Sequence, residues 1–278
     1  MKGASVIANY DVIKSIEAGI ERITYRPHHP KSDIPIVMQH GMWHGAWCWE
    51  NWQIRLAELG WESHAHSLPA HGQSPTQRPL RWCTLNYYLE FLKAEIDRLP
   101  QKPILMGHSM GGALTQWYLK YVGDDLPAVI LVASWNSHEM QSATLNAMIQ
   151  DPVGMALCML TLTASPTVRN ALVASKIPTS PNSVISPTDL AHKLGGESWW
   201  VLIQYNPILW QPRRDIKTPM LWLIPGKDQA VLPSTQARSA RFYGAKIIDV
   251  PEGAHNLMME PNHSELAEKI EAWLTQTL

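Results

Sequence analysis

The chain has 278 residues with 23 Lys+Arg against 24 Asp+Glu, a formal net charge of −1, so it lacks the basic surplus needed to neutralise nucleic-acid phosphates. Hydrophobic residues make up 45% and charged residues 17%, a balance that fits a globular chain with a large core, either one domain or a domain with an insertion. No stretch approaches the roughly 20 apolar residues of a membrane span, the N-terminal segment lacks the basic-then-apolar pattern of a leader, and Cys48, Cys83 and Cys158 are too few and scattered for a disulfide framework or a CxxC site. A cytoplasmic protein with three reduced thiols is expected.

In chain order, VIKSIEAGIERITYRP (12–27) predicts two strands turning at Ala18-Gly19, and IPIVMQ (34–39) reads as a short buried strand of a parallel sheet. A helix is expected over 48–59, a strand at WESHAHSL (61–68), and a helix from Thr84 to Leu99. PILMGHS (103–109) is a further apolar run, followed by a helix from Leu114 to Val122 and a strand at AVILVAS (128–134). This alternation is βαβ winding around a mostly parallel sheet, with helices on both faces. The pattern resumes over 213–278 with TPMLWLIPG, a helix near Ser234 to Tyr243, AKIIDVPEG, and a closing helix from Ser264 to Leu274. Between Trp135 and Pro212 the rhythm breaks into a segment rich in Met, Pro, Ser and Trp. The expected division is a core of 1–134 and 213–278 and a helical cap insertion of 135–212.

The strongest chemical signal is ILMGHSMGGAL (104–114), in which Gly107-His108-Ser109-Met110-Gly111 fits the GxSxG turn between a strand and a helix. A serine at so sharp a turn is strained, and residues two positions away on either side must lack bulk. Ser109 is the expected nucleophile; it needs a base and an orienting acid, in the order Ser, Asp or Glu, His. Asp228 follows the strand in LWLIPGKDQAV and His255 lies past the next strand in IIDVPEGAHNLMMEP. His263 falls at the start of the last helix and His138 and His192 in the insertion, which leaves His255 as base. Asp249 lies within a strand and Asp215 before one, which leaves Asp228 as acid.

These residues resemble the α/β-hydrolase family: His40-Gly41 after IPIVMQ, HGQS (71–74), GHSMGG, GKD and GAH occur in the family's order and spacing over nearly the whole chain. The resemblance implies an α/β-hydrolase fold with a cap, no cofactor, and an oxyanion hole formed by the backbone N–H groups of Met42 and Met110. It gives Gly41 the role of letting its loop approach Ser109, and His40 that of bracing the loop. Trp47 and Trp49 are expected to pack the first turn of the next helix and Trp43 to line the pocket. HGMWHGAWCW (40–49) and the HxxM pattern of His255 to Met258 are similar to the branch of plant methyl esterases and hydroxynitrile lyases. The lyases of that branch carry a threonine where this chain has Gly41 and a lysine where it has Asn256, so the resemblance points to ester hydrolysis. The extra N-terminal hairpin and Ser67, where an acid is frequent, mark a more distant relative.

His64 and His66 share a strand face, but no carboxylate or cysteine stands at ligand spacing beside them, so no metal is expected. The expected activity is that of a carboxylic ester hydrolase acting on neutral, fairly apolar small molecules through an acyl-enzyme on Ser109. A lactonase acting on, for example, acyl-homoserine lactones and a C–C bond hydrolase are competing readings with the same triad; a ligand receptor on this fold is a third. The expected partner is a small ester or lactone, with no nucleic acid, for a monomer or homodimer. Gly41, Trp43, Trp135, Met140 and Trp199 are the candidate substrate contacts. Met148, Met155, Met159, Leu160, Trp200 and Trp210 are expected either to pack the cap onto the sheet or to join the pocket wall.

Overall fold

The computed structural model describes residues 9–168 and 179–278. Eight strands form one sheet in the order β1-β2-β4-β3-β5-β6-β7-β8. β1 (Tyr10–Glu17) and β2 (Ile20–Pro27) form an antiparallel hairpin whose turn residues, Ala18 and Gly19, both have positive φ, the backbone that lets a two-residue turn follow the strand twist. β2 pairs antiparallel with β4 (Ser63–His66). From β4 onward every neighbour is parallel: β3 (Ile36–Gln39), β5 (Ile104–His108), β6 (Val129–Val132), β7 (Met220–Pro225) and β8 (Lys246–Val250).

The central strands are apolar at nearly every position because both faces are covered. On one face Val37, Leu105, Val129, Leu131 and Trp222 pack with residues of α2 (Leu85–Asp97), α3 (Met110–Tyr121) and, through Ala240, the helix after β7. On the other, Ile36, Met38, Met106, Ile130 and Leu223 pack with Trp52 and Leu56 of α1 (Glu50–Glu58) and with the C-terminal helix. The period of two along each strand divides the core into these layers. Thr84 caps α2 by accepting from Tyr87 N–H, which sets the start of that helix.

Between β6 and β7 lie α4 (Gln141–Gln150), α5 (Pro152–Thr161), α6 (Pro187–Lys193) and α7 (Trp200–Gln204). α8 (Pro233–Tyr243) separates β7 from β8, and α9 (His263–Thr277) closes the described chain. The helix after Ser109 begins at Met110 rather than at Leu114: its first turn, Met110-Gly111-Gly112-Ala113, carries no helix-period pattern and low propensity, and tertiary packing overrides both. Among the described residues no helix is long and apolar enough to cross a membrane.

Candidate active site

Parallel strands point their carboxyl ends to one edge of a sheet, and the loops leaving β3, β5, β7 and β8 all emerge there. Those loops carry Met42, Ser109, Asp228 and His255. Ser109 has φ +52° and ψ −116°, a conformation that costs about 1–3 kcal/mol for a residue with a side chain. The strain is held by backbone bonds on both sides: Ser109 N–H donates to Val132 O at 3.0 Å, and Ser109 O accepts from Gly112 N–H at 2.9 Å and Ala113 N–H at 3.2 Å. A β-carbon on Gly107 would sit 2.4 Å from Gly111 O, and one on Gly111 would sit 2.2 Å from Gln39 O. The glycine spacing of the motif is therefore dictated by backbone approaching backbone.

His255 Nδ1 lies 2.8 Å from Asp228 Oδ2, and both residues are buried. Asp228 accepts three further bonds, from Ala230 N–H at 2.8 Å and Val231 N–H at 2.9 Å on Oδ1 and from Gln236 Nε2 at 2.8 Å on Oδ2. A carboxylate so surrounded by donors is an acceptor at every site, which assigns the ring proton of His255 to Nδ1 and leaves Nε2 as the basic nitrogen. His108 Nε2 donates to His255 O at 3.2 Å and ties the histidine loop to the serine turn.

The loop after β3 is organised by histidines. His40 Nε2 accepts from Leu68 N–H at 3.0 Å, so the ring proton of His40 is on Nδ1, which donates to Gly41 O at 2.8 Å. Burial, reinforced by the neighbouring histidines, holds the His40 pKa well below the imidazole range and keeps that tautomer neutral. In a trans peptide C=O and N–H point in opposite directions, and the structure has no cis peptide among the described residues. Holding Gly41 O therefore turns the Met42 N–H away from His40. Neither Met42 N–H nor Met110 N–H, the first of α3, makes a hydrogen bond among the described residues.

Met42, Ser109 and His255 share the wall of a cavity of about 110 Å³ with Trp43, Trp135, Met140, Met155 and Trp199, and His255 is its one titratable lining residue among those described. Gly41 is not part of that wall. Its place is structural, since a β-carbon there would lie 2.8 Å from His108 Nδ1 and 2.9 Å from Ser109 Cβ. Trp43 is in a left-handed conformation with φ +63° and is held by the insertion at two points: its Nε1 donates to Ala164 O at 3.1 Å and its carbonyl accepts from Gly195 N–H at 2.7 Å. Trp49 is fully buried, and Trp47 stacks on His44. Trp210 is buried against Trp117 and Tyr205 rather than at the cavity. Met148, Met159 and Leu160 neither pack the insertion onto the sheet nor line the cavity: they face solvent, Leu160 at 80% exposure, because short helices α4 and α5 have an outer face that nothing described covers. Trp200 is only partly buried and lies outside the wall.

Several side chains that matter here were given no role in the sequence reading, although His71 belongs to the HGQS motif noted there. Gln236 on α8 braces Asp228 from eight residues away, and its amide also donates to Val231 O at 2.8 Å. His71 and Glu197 form a pair with both side chains wholly buried, Nε2 to Oε2 at 3.1 Å, that joins the loop after β4 to the insertion. Glu197 also accepts from Tyr88 Oη at 2.8 Å and Ser198 N–H at 2.7 Å. Burial opposes a charge on His71, but the Glu197 carboxylate and the Pro69 carbonyl outweigh it and raise the pKa above the ordinary imidazole value.

A strained serine turn, a buried carboxylate–imidazole pair and, among the described residues, two N–H groups without partners thus gather at one sheet edge. The chain belongs to the alpha/beta hydrolase family, whose sequence profile matches residues 36–269. It is 37% identical over 79 residues to Methylesterase 3 of Arabidopsis thaliana, a match spanning 28% of this chain and 30% of that protein. The chain thus spans about a third of the length of the curated relatives it matches. Among solved structures, a monoacylglycerol lipase of Paleococcus ferrophilus superposes with a TM-score of 0.68 at 17% identity, covering 93% of this chain and 99% of that one. Polyneuridine aldehyde esterase gives 0.65 at 17% identity, covering 86% and 100%. These structures share its fold.

Proposed function

We propose that the protein is a serine esterase that hydrolyses carboxylic esters of neutral, fairly apolar small molecules. The observation that carries this reading is the shared cavity: Ser109 on its strained turn and His255, already bonded to Asp228, line the same apolar space. In the proposed cycle His255 Nε2 takes the Ser109 Oγ proton as Oγ adds to the ester carbonyl, and the negative oxygen is received by the N–H groups of Met42 and Met110. The tetrahedral species collapses, the C–O bond to the alcohol breaks, and His255 returns the proton to the departing oxygen. Water, deprotonated by His255, then attacks the acyl-enzyme and releases the acid, and the proton returns to Ser109. Asp228 keeps the imidazole in the tautomer this requires and stabilises its charged form. The segment 135–212 acts as a cap that excludes water and bounds the substrate.

A neutral substrate follows from the wall. No Lys, Arg, Asp or Glu lines the cavity among the described residues, and a carboxylate placed there would lose its hydration without a partner. The test is stoichiometric labelling by a serine-directed alkyl phosphonate together with ester turnover. Label on Ser109 and its loss in Ser109→Ala are expected; label on another residue defeats the assignment.

A further inference from the structure

The loop that carries Met42 and the loop that carries His255 are joined by a buried bridge that the proposed cycle does not use. Asn256, fully buried beside His255, donates through Nδ2 to Nε2 of His44 at 2.9 Å, and His44 Nδ1 lies 2.6 Å from Met42 O. A ring nitrogen at that distance from a carbonyl oxygen must carry the proton, so His44 is the Nδ1–H tautomer and its Nε2 is an acceptor. The Asn256 amide fits only in the orientation that presents Nδ2: turned over, it would set Oδ1 against Nε2 and demand the proton there, leaving two lone pairs facing each other at Met42 O. Burial, with His255 and His71 adding to it and the Met42 carbonyl partly offsetting it, lowers the His44 pKa to about 4. The ring is therefore neutral at the pH values where a histidine base can work, and it has one proton to place.

The consequence concerns the two peptide planes on either side of the Met42 α-carbon. His40 holds the preceding plane by Gly41 O, and His44 holds the following plane by Met42 O. We propose that Asn256 and His44 are positioning residues for the oxyanion site: Asn256 selects the His44 tautomer, His44 pins the Met42–Trp43 peptide, and with His40 they fix the direction of the Met42 N–H. The proposal rests on the assignment of Ser109, His255 and Met42 above. It explains why the residue directly after the candidate base is a buried amide, and it links base and oxyanion donor through one imidazole.

Leucine and aspartate both approximate the shape of asparagine, and they separate positioning from packing. Asn256→Leu cannot donate, so the His44 proton is free to move to Nε2 and the Met42–Trp43 peptide is released. In Asn256→Asp one proton lies between the carboxyl and Nε2; whichever side holds it, Nδ1–H stays on Met42 O. In Asn256→Leu kcat should fall by about 10- to 100-fold with KM within about twofold, less than the full loss of an oxyanion donor. Inhibition by an alkyl trifluoromethyl ketone, whose Ser109 adduct places an oxygen anion in the same position, should weaken by the same factor as kcat/KM. Asn256→Asp should keep activity within about fivefold of the parent. A leucine variant as active as the parent, or leucine and aspartate variants equally impaired, overturns the proposal. If the variants do not fold, the imidazole ¹⁵N shifts of His44 in the unmodified protein decide: protonated Nδ1 is expected, and protonated Nε2 overturns it. Ester turnover surviving in Ser109→Ala would defeat the functional assignment instead, without touching the His44 tautomer.

Discussion

Gly41 meets His108 Nδ1 and Ser109 Cβ wherever a side chain is added, so even alanine there forces the loop after β3 away from the serine turn. Gly41→Ala should destabilise the protein by about 1–3 kcal/mol, the range of overpacking a close-packed site. It should also lower kcat more than it raises KM, because the displaced group is the Met42 N–H. Chemical denaturation and steady-state kinetics on the same preparation check both. Ser109→Ala should reduce kcat by about a million-fold if the residue is the nucleophile, while leaving the strain at φ +52° in place because alanine keeps the β-carbon. An unchanged melting temperature beside lost turnover would mark a residue that serves chemistry rather than stability. Burial keeps the pKa of His44 and His108 low, so the histidines nearest His255 are neutral, and the His108 ring lies 4.8 Å from the His255 ring.

At the scale of elements, the insertion is fastened to the core by a few specific contacts. Trp43 bonds it at Ala164 and Gly195, and the His71–Glu197 pair joins it to the loop after β4. Removing the carboxylate removes a charge-assisted hydrogen bond, at a cost of about 1.5–3 kcal/mol, because His71 then sheds its proton rather than staying as an unmatched charge. Glu197→Gln should lower stability by that order in equilibrium urea unfolding. The pair also predicts a pH dependence of definite sign. A histidine whose pKa is raised on folding stabilises most when it is protonated in both states, below its ordinary value of about 6.5, and the contribution disappears as pH rises through the raised folded value. The stability difference between the unmodified protein and Glu197→Gln should therefore shrink on moving from about pH 6 toward alkaline conditions, while the lowered pKa values of buried His40, His44 and His108 make both proteins gain stability as pH rises through about 6.5. In Glu197→Gln burial without the carboxylate favours the neutral ring, so the variant should gain stability with pH more steeply than the parent. A difference between parent and variant that stays constant or grows over this interval would exclude the charged pair.

For the molecule as a whole, the loops at the sheet edge and the segment between β6 and β7 line a cavity of about 110 Å³, below the few hundred Å³ usual for drug-sized ligands, and that volume limits a substrate bound there. Each buried methylene contributes about 0.8 kcal/mol until the wall is reached. With p-nitrophenyl esters, kcat/KM should rise from acetate through short acyl chains and then drop, and anionic acyl groups should be poor substrates. A steady fall from acetate onward, or a preference for a charged acyl group, would show that the cavity is not where the acyl chain sits.

Local chemistry was legible in the sequence where it depends on neighbours along the chain. The hairpin turn at Ala18-Gly19, the buried parallel strands and the strand-to-helix turn at Ser109 follow from periodicity, glycine spacing and backbone strain, which act over a few residues. Asp228 and His255 were reachable because parallel strands send their following loops to one edge. Contacts between residues far apart in sequence were not. Asn256 reaches across 212 positions to His44, His71 across 126 to Glu197, and nothing in either partner's local pattern announces the other. Their pairing is decided by buried polar groups that must find donors and acceptors once water is excluded. Which of the apolar insertion residues face the cavity was likewise settled only by packing: Met155 and Leu160 look alike in sequence, and one lines the wall while the other meets solvent, because five residues along one helix turn them about 140° apart.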